Sequence, residues 1–159
     1  MRALLLLLLG LVVAGPGWAQ EGVRTGTLKD VADRGTLLLG VREAAVPFSF
    51  RNRGGQAVGF AVDLCLGVAA DVAGAVNLEL LEADAPAWRR GLRVQFVTVA
   101  AEERLPKVLD GSIDLECGAS TATAERGRSV AFSPVFFLAG TKLLVSRDSG
   151  IASYRDLVG

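Results

Sequence analysis

"LRVQFVTVAAEERLPKVLDGSIDLECG", Leu92–Gly118, is the stretch that decides the fold. Its opening, "LRVQFVTV", alternates as a strand does. "AEERLPKVLDG" then places Leu105, Val108 and Leu109 on one helical face, with acids at the start, where the helix dipole favours them, and Gly111 at the stop. "SIDLECG" reads as a second, short strand. Strand, helix, strand is the βαβ unit of a parallel sheet.

Upstream the rhythm is the same. "TLKDVADR", Thr27–Arg34, carries Leu28 and Val31 at helical spacing behind a threonine cap and is stopped by Gly35. "TLLLGV" follows as a continuous apolar run, the pattern of a strand covered on both faces. Pro47, the alternating "FSF" and the Gly54-Gly55 pair read as a strand edge followed by a turn. "GFAVDLCLGVAADVAGA" predicts a helix whose core stripe is Ala61, Leu64, Cys65, Val68, Ala69 and Val72. "EADAPAWRRG" is a connector. The expected fold class is therefore α/β, a mostly parallel sheet flanked by helices, in one domain: the chain has 159 residues, 51% of them apolar, enough for one ordinary core.

Several function classes are disfavoured at once. Lys plus Arg and Asp plus Glu both number 17, with no run of like charge, so neither nucleic acid nor an anionic membrane surface is indicated as a partner. There is no histidine, which removes Ser-His and Cys-His catalysis and the commonest zinc ligand. No metal or cofactor is expected. Residues 1–19, "MRALLLLLLGLVVAGPGWA", read as a secretory signal: one basic residue, an apolar block from Ala3 to Ala14, and breakers Gly15, Pro16 and Gly17 before a small-residue cleavage site. A transmembrane helix would need about 20 apolar residues. The mature domain is then 20–159. Export permits a disulfide between Cys65 and Cys117, but two buried thiols are the default reading, because nothing in the sequence brings their Cα atoms together.

In open α/β sheets ligands gather at the carboxyl ends of the strands. Arg42 ends the first strand, Arg104 sits in the first turn of the helix after the third, and "ASTATAER" joins the next strand to a helical turn, offering Ser120, Thr121 and Thr123 hydroxyls and the Arg126 fork. Such a set suits a carboxylate. Each member also has a plainer reading. Arg126 pairs at the surface with Glu125 or Asp114; Arg104 pairs with Glu102 or Glu103; Ser120 and Thr121 are helix caps; Phe48 and Phe50 are core; Asp63 serves the helix dipole. No acid stands in a setting that would obviously raise its pKa.

Four stretches, "RGTLLLGVREAAVPFSF", "GQAVGFAVDLC", "ERLPKVLDGSIDLECGASTATAERGRSVAFS" and "FFLAGTKLLVSR", resemble the extracellular solute-binding proteins of family 3, which serve polar-amino-acid ABC importers, and among them the glutamate/aspartate-binding type. The resemblance implies a periplasmic-binding-protein-like (type 2) lobe, with ligand held between two lobes. The arginine matching Arg126 and the hydroxyl matching Thr121 would hold the α-carboxylate. The position matching Arg42 contacts the ligand side chain and is arginine in the acidic-ligand type, and Arg104 matches a further arginine of that pocket. Two serines of the subtype are Ala101 and Ala119 here, each removing a hydroxyl donor worth about 0.5–1.5 kcal/mol.

The expectation is thus a non-enzymic, monomeric periplasmic component that passes a polar, acidic amino acid to an inner-membrane ABC permease. Only the first of the two lobes is expected within this sequence, which ends about where the family crosses to the second, as in a fragment. Two rivals share the scaffold: a periplasmic lyase such as a dehydratase of cyclic acids, and a ligand-sensing lobe of a membrane receptor.

Overall fold

The computed structural model describes residues 26–140 and 142–157; the signal read in residues 1–19 lies outside them. Helix α1, Thr27–Arg34, leads into strand β1, Thr36–Val41. Gly35 takes the left-handed conformation at φ 64° and donates its N–H to the Val31 carbonyl, so the chain turns off the helix within one residue. The expected threonine cap is not formed. Gly26 occupies that position, its carbonyl accepting from the Lys29 and Asp30 N–H groups, and Thr27 is already the first helical residue.

β1 is the centre of the molecule. It pairs in parallel with β5, Arg93–Thr98, along its whole length, from Thr36 opposite Arg93 to Val41 opposite Thr98. On its other edge it pairs in parallel with β6, Leu115–Glu116, with Leu39 opposite Leu115 and Gly40 opposite Glu116. The order β5-β1-β6 explains the unbroken apolar run, since Leu37, Leu39 and Val41 are 3%, 0% and 0% exposed. Between β1 and β5 the chain forms a small antiparallel sheet of β2 (Ala44–Ala45), β3 (Ser49–Arg51) and β4 (Ala57–Val58), then helix α2, Phe60–Ala75. Helix α3, Arg104–Leu109, makes the crossover from β5 to β6.

α2 packs on the sheet through a stripe that differs from the expected one. Ala61, Val62, Cys65, Ala69 and Ala73 are buried, whereas Leu64 and Val68 are 41% and 44% exposed. The helix is apolar on nearly every side, so periodicity alone does not select a face. Small side chains let its axis approach the sheet closely, and Cys65 is fixed there by a disulfide to Cys117 just past β6, with 6.0 Å between the Cα atoms. The reading as two separate thiols is corrected: β6 runs beside β1 under the α2 face, a proximity set by strand pairing across 52 residues of sequence. Removing this cross-link should cost about 4 kcal/mol by chain entropy.

Asp114 locks the amino end of β6. Its carboxylate accepts from the Leu38 N–H at 2.8 Å and pairs with Arg34, while its own N–H donates to the Leu38 carbonyl at 2.8 Å. Asp114 is therefore committed to the fold and is not a partner for Arg126. Among the described residues no helix is long and apolar enough to cross a membrane, and no cluster of acids and cysteines could hold a metal ion.

Candidate functional site

Because β1, β5 and β6 are parallel, their carboxyl ends share one edge, and the three loops leaving it carry the candidate residues. Arg42 follows β1 directly. Its N–H donates to the Oγ of the fully buried Ser49 at 2.9 Å, which ties the start of this loop to β3. The "FSF" alternation thus has a purpose beyond packing: Ser49 turns inward to satisfy a backbone donor where β1 stops.

Arg104 opens α3. Its Nε donates to the Ala101 carbonyl at 2.8 Å and its Nη1 to Ser120 Oγ at 2.8 Å. The surface ion pair with Glu102 or Glu103 is not formed. Glu103 instead accepts from the Ala100 N–H and pairs with Lys107 at 3.7 Å; the Ala100 bond, then Lys107, hold its carboxyl below the ordinary range. Arg104 is left to reach across the edge to the loop after β6. Helix α3 therefore brings two of the expected residues, Arg104 and Ser120, into direct contact.

Thr121 and Arg126 lie further along that loop. Arg126 begins a 3-10 turn, Arg126–Arg128, and folds back so that Nη1 donates to the Thr121 carbonyl at 3.0 Å. Thr123 Oγ1 accepts from the Arg126 N–H at 3.3 Å where the chain enters this turn, whose N-cap position is Glu125. Neither Ser120 nor Thr121 caps it. Among the described residues no carboxylate stands within ion-pair distance of Arg42, Arg104 or Arg126.

A cavity of about 430 Å³ opens beside α3 and β6, within the range of roughly 300–1,000 Å³ for small-molecule sites. Arg104, Asp114, Glu116, Ser120, Thr121 and Ser133 supply its polar lining, and Phe48 and Phe137 are among its apolar lining. Phe48 and Phe137 meet edge-on at 4.8 Å between centroids, so Phe48 belongs to the cavity wall and not to the core. Arg42 and Arg126 are not in the lining: Arg126 adjoins it through Thr121, and Arg42 stands behind Gly118.

Glu116 is the residue that sequence reasoning passed over. Burial raises its carboxyl above the ordinary range, against the pull of the Ser120 hydroxyl, the Arg104 and Arg42 charges and the Gly118 N–H. An acid with a raised pKa was not expected. Nothing in "SIDLECG" marks it, because the groups around it, Arg42, Arg104 and Ser120, come from other parts of the chain.

A parallel sheet with arginines and hydroxyls on the loops at its carboxyl edge has its candidate residues where open α/β folds place their ligands. Residues 37–155 match the family model described as "Bacterial extracellular solute-binding proteins, family 3". The chain belongs to that family. It is 36% identical over 136 residues to the L-glutamate/L-aspartate-binding protein of Pseudomonas aeruginosa, covering 85% of this chain and 41% of that protein. It is 34% identical over 134 residues to the glutamine-binding protein of Geobacillus stearothermophilus, covering 84% and 45%. The chain thus spans less than half the length of these relatives.

Among solved structures, the ancestral amino-acid-binding protein AncCDT-1, described as a precursor of cyclohexadienyl dehydratase, superposes with a TM-score of 0.64 at 30% identity, covering 83% of this chain and 51% of that one. The arginine-bound form of domain 1 from TmArgBP, in a Phe57Trp mutant, superposes at 0.52 with 30% identity, covering 71% and 74%. These neighbours agree with the expected fold class, a periplasmic-binding-protein-like α/β lobe with a parallel sheet.

Proposed function

We propose that this chain, as residues 20–159 after removal of the signal, is the first lobe of a periplasmic solute-binding protein that captures a polar amino acid with an acidic side chain and passes it, as a monomer, to an inner-membrane ABC permease. The observation that carries this reading is the set of three arginines at one sheet edge, none of them within ion-pair distance of a carboxylate among the described residues. Buried or half-buried guanidinium groups are costly without a counter-charge, and a dicarboxylate ligand supplies one at each end. Arg126, with the Thr121 hydroxyl, takes the α-carboxylate; Arg42 and Arg104, with Ser120, take the side-chain carboxylate. Ala101 and Ala119 carry no hydroxyl and contribute only shape. A relative whose domain 1 is described in an arginine-bound form supports ligand binding by one lobe.

Calorimetry or NMR shift titration with L-glutamate and L-glutamine tests this. Arg126→Ala should remove detectable binding of both ligands. Arg42→Ala should weaken glutamate by about 2 kcal/mol or more relative to glutamine, and equal losses for the two would refute the side-chain assignment. The Glu116 carboxyl, with its raised pKa, favours a second reading, a lyase that uses it as general acid. Turnover of a cyclic hydroxy acid, lost in Glu116→Gln, would establish that reading instead.

A further inference from the structure

We propose that Glu116 sets the specificity of this site: its carboxylate, in the cavity wall near Arg42 and Arg104, offsets part of the arginine charge and so restrains the preference for an acidic over an amide side chain. The inference rests on the amino-acid-binding reading above. Its basis is the register. Gly40 stands opposite Glu116, so two residues further on Arg42 stands beside Gly118. In a strand, residues two apart share a face, and the missing side chain at 118 leaves a slot that both neighbours fill. A Cβ placed on Gly118 would lie 2.3 Å from Glu116 Oε1 and 3.3 Å from Arg42 Cγ.

Within that slot, Glu116 Oε1 and Arg42 Nε are the buried side-chain polar atoms without a hydrogen-bond partner among the described residues. One accepts and the other donates, they occupy the same face, and the two residues are not within ion-pair distance. A carboxylate kept for stability would close onto its arginine, since an unmade buried bond costs about 1–3 kcal/mol. Glu116 instead acts on Arg42 and Arg104 through space. A ligand carboxylate bound to those arginines feels its repulsion, and a neutral carboxamide does not. Specificity is a difference of affinities, and a misplaced like charge is an ordinary way to adjust it.

The test is the ratio of glutamate to glutamine affinity in the full chain. Glu116→Gln keeps the shape and removes the charge, and should raise that ratio about ten- to a hundredfold, the worth of a unit charge about 12 to 6 Å away at an effective dielectric of about 20. Glu116→Asp keeps the charge and should hold the ratio near that of the parent chain. Glu116→Ala removes the charge together with the side chain and gives a second arm: the ratio should rise there as well. An unchanged or lower ratio in Glu116→Gln, or equal shifts in the Gln and Asp variants, overturns the inference while the amino-acid reading stands. Should Glu116→Gln not fold, the ratio in Glu116→Ala decides, and no rise there overturns the inference. A parent chain that binds neither ligand overturns both.

Discussion

Two runs of this chain look alike as sequence and fare differently in the fold. In Leu37–Val41 the side chains of Leu37, Leu39 and Val41 are buried, while in the run 135–145 Leu138 and Leu144 are 86% and 102% exposed. Composition does not separate them. Neighbours do: β1 has a strand on each edge and α2 across one face, whereas 131–140 and 142–146 have no strand partner among the described residues. Every buried apolar residue of the described part lies between Val31 and Cys117. Hydrophobic sequence supplies the drive to bury, and backbone pairing decides whether it can be met, because an unpaired strand carries its polar groups inward at a cost.

That contrast can be broken most forcefully at the disulfide. Replacing both Cys65 and Cys117 by serine should lower stability by about 4 kcal/mol in urea denaturation, since α2 would be held to the β6 end of the sheet by packing alone. A loss below about 1 kcal/mol would mean that small-residue packing already fixes α2. A smaller effect is expected from Asp114→Ala, which strands the Leu38 N–H and the Arg34 charge: about 2–3 kcal/mol, read from the same denaturation curves, with Asp114→Asn recovering part of it. Smallest is Leu144→Ser on the unpaired side, expected to stay within about 0.5 kcal/mol of the parent. A loss above about 1.5 kcal/mol there would show that the second run finds a partner in solution and would erase the contrast.

The legibility of the fold in the sequence follows the same division. "TLLLGV" announced a strand covered on both faces, and the βαβ order around α3 followed from alternation, helical spacing and glycine stops. All of these are local signals. The failures concern contacts that only register creates. Asp114 and Leu38 are 76 residues apart, Cys65 and Cys117 are 52 apart, and neither link can be seen until β6 is set beside β1. The α2 stripe failed for a different reason: a helix apolar on most sides offers several stripes, and the close approach of the sheet selects the small one. At the candidate site, residue types and strand ends pointed to Arg42, Arg104, Ser120, Thr121 and Arg126. The Arg104–Ser120 contact, the Arg126 tether to Thr121 and the burial of Glu116 needed three dimensions.

The disulfide has one more consequence, for how the molecule breathes. Cys117 sits between Glu116 and Gly118, so the covalent link to α2 ends at the inner boundary of the site. Local openings of the thinly packed segment after Gly118, which carries Thr121 and Arg126, are expected to stop at Cys117, while Glu116 and Arg42 are released only with the sheet itself. The two ends of a bound amino acid would then be gripped by parts of the chain with very different lifetimes. Amide exchange should record that as a step in protection between residues 117 and 121, with the slow side belonging to the residues that choose the side chain and the fast side to those that take the carboxylate every amino acid shares.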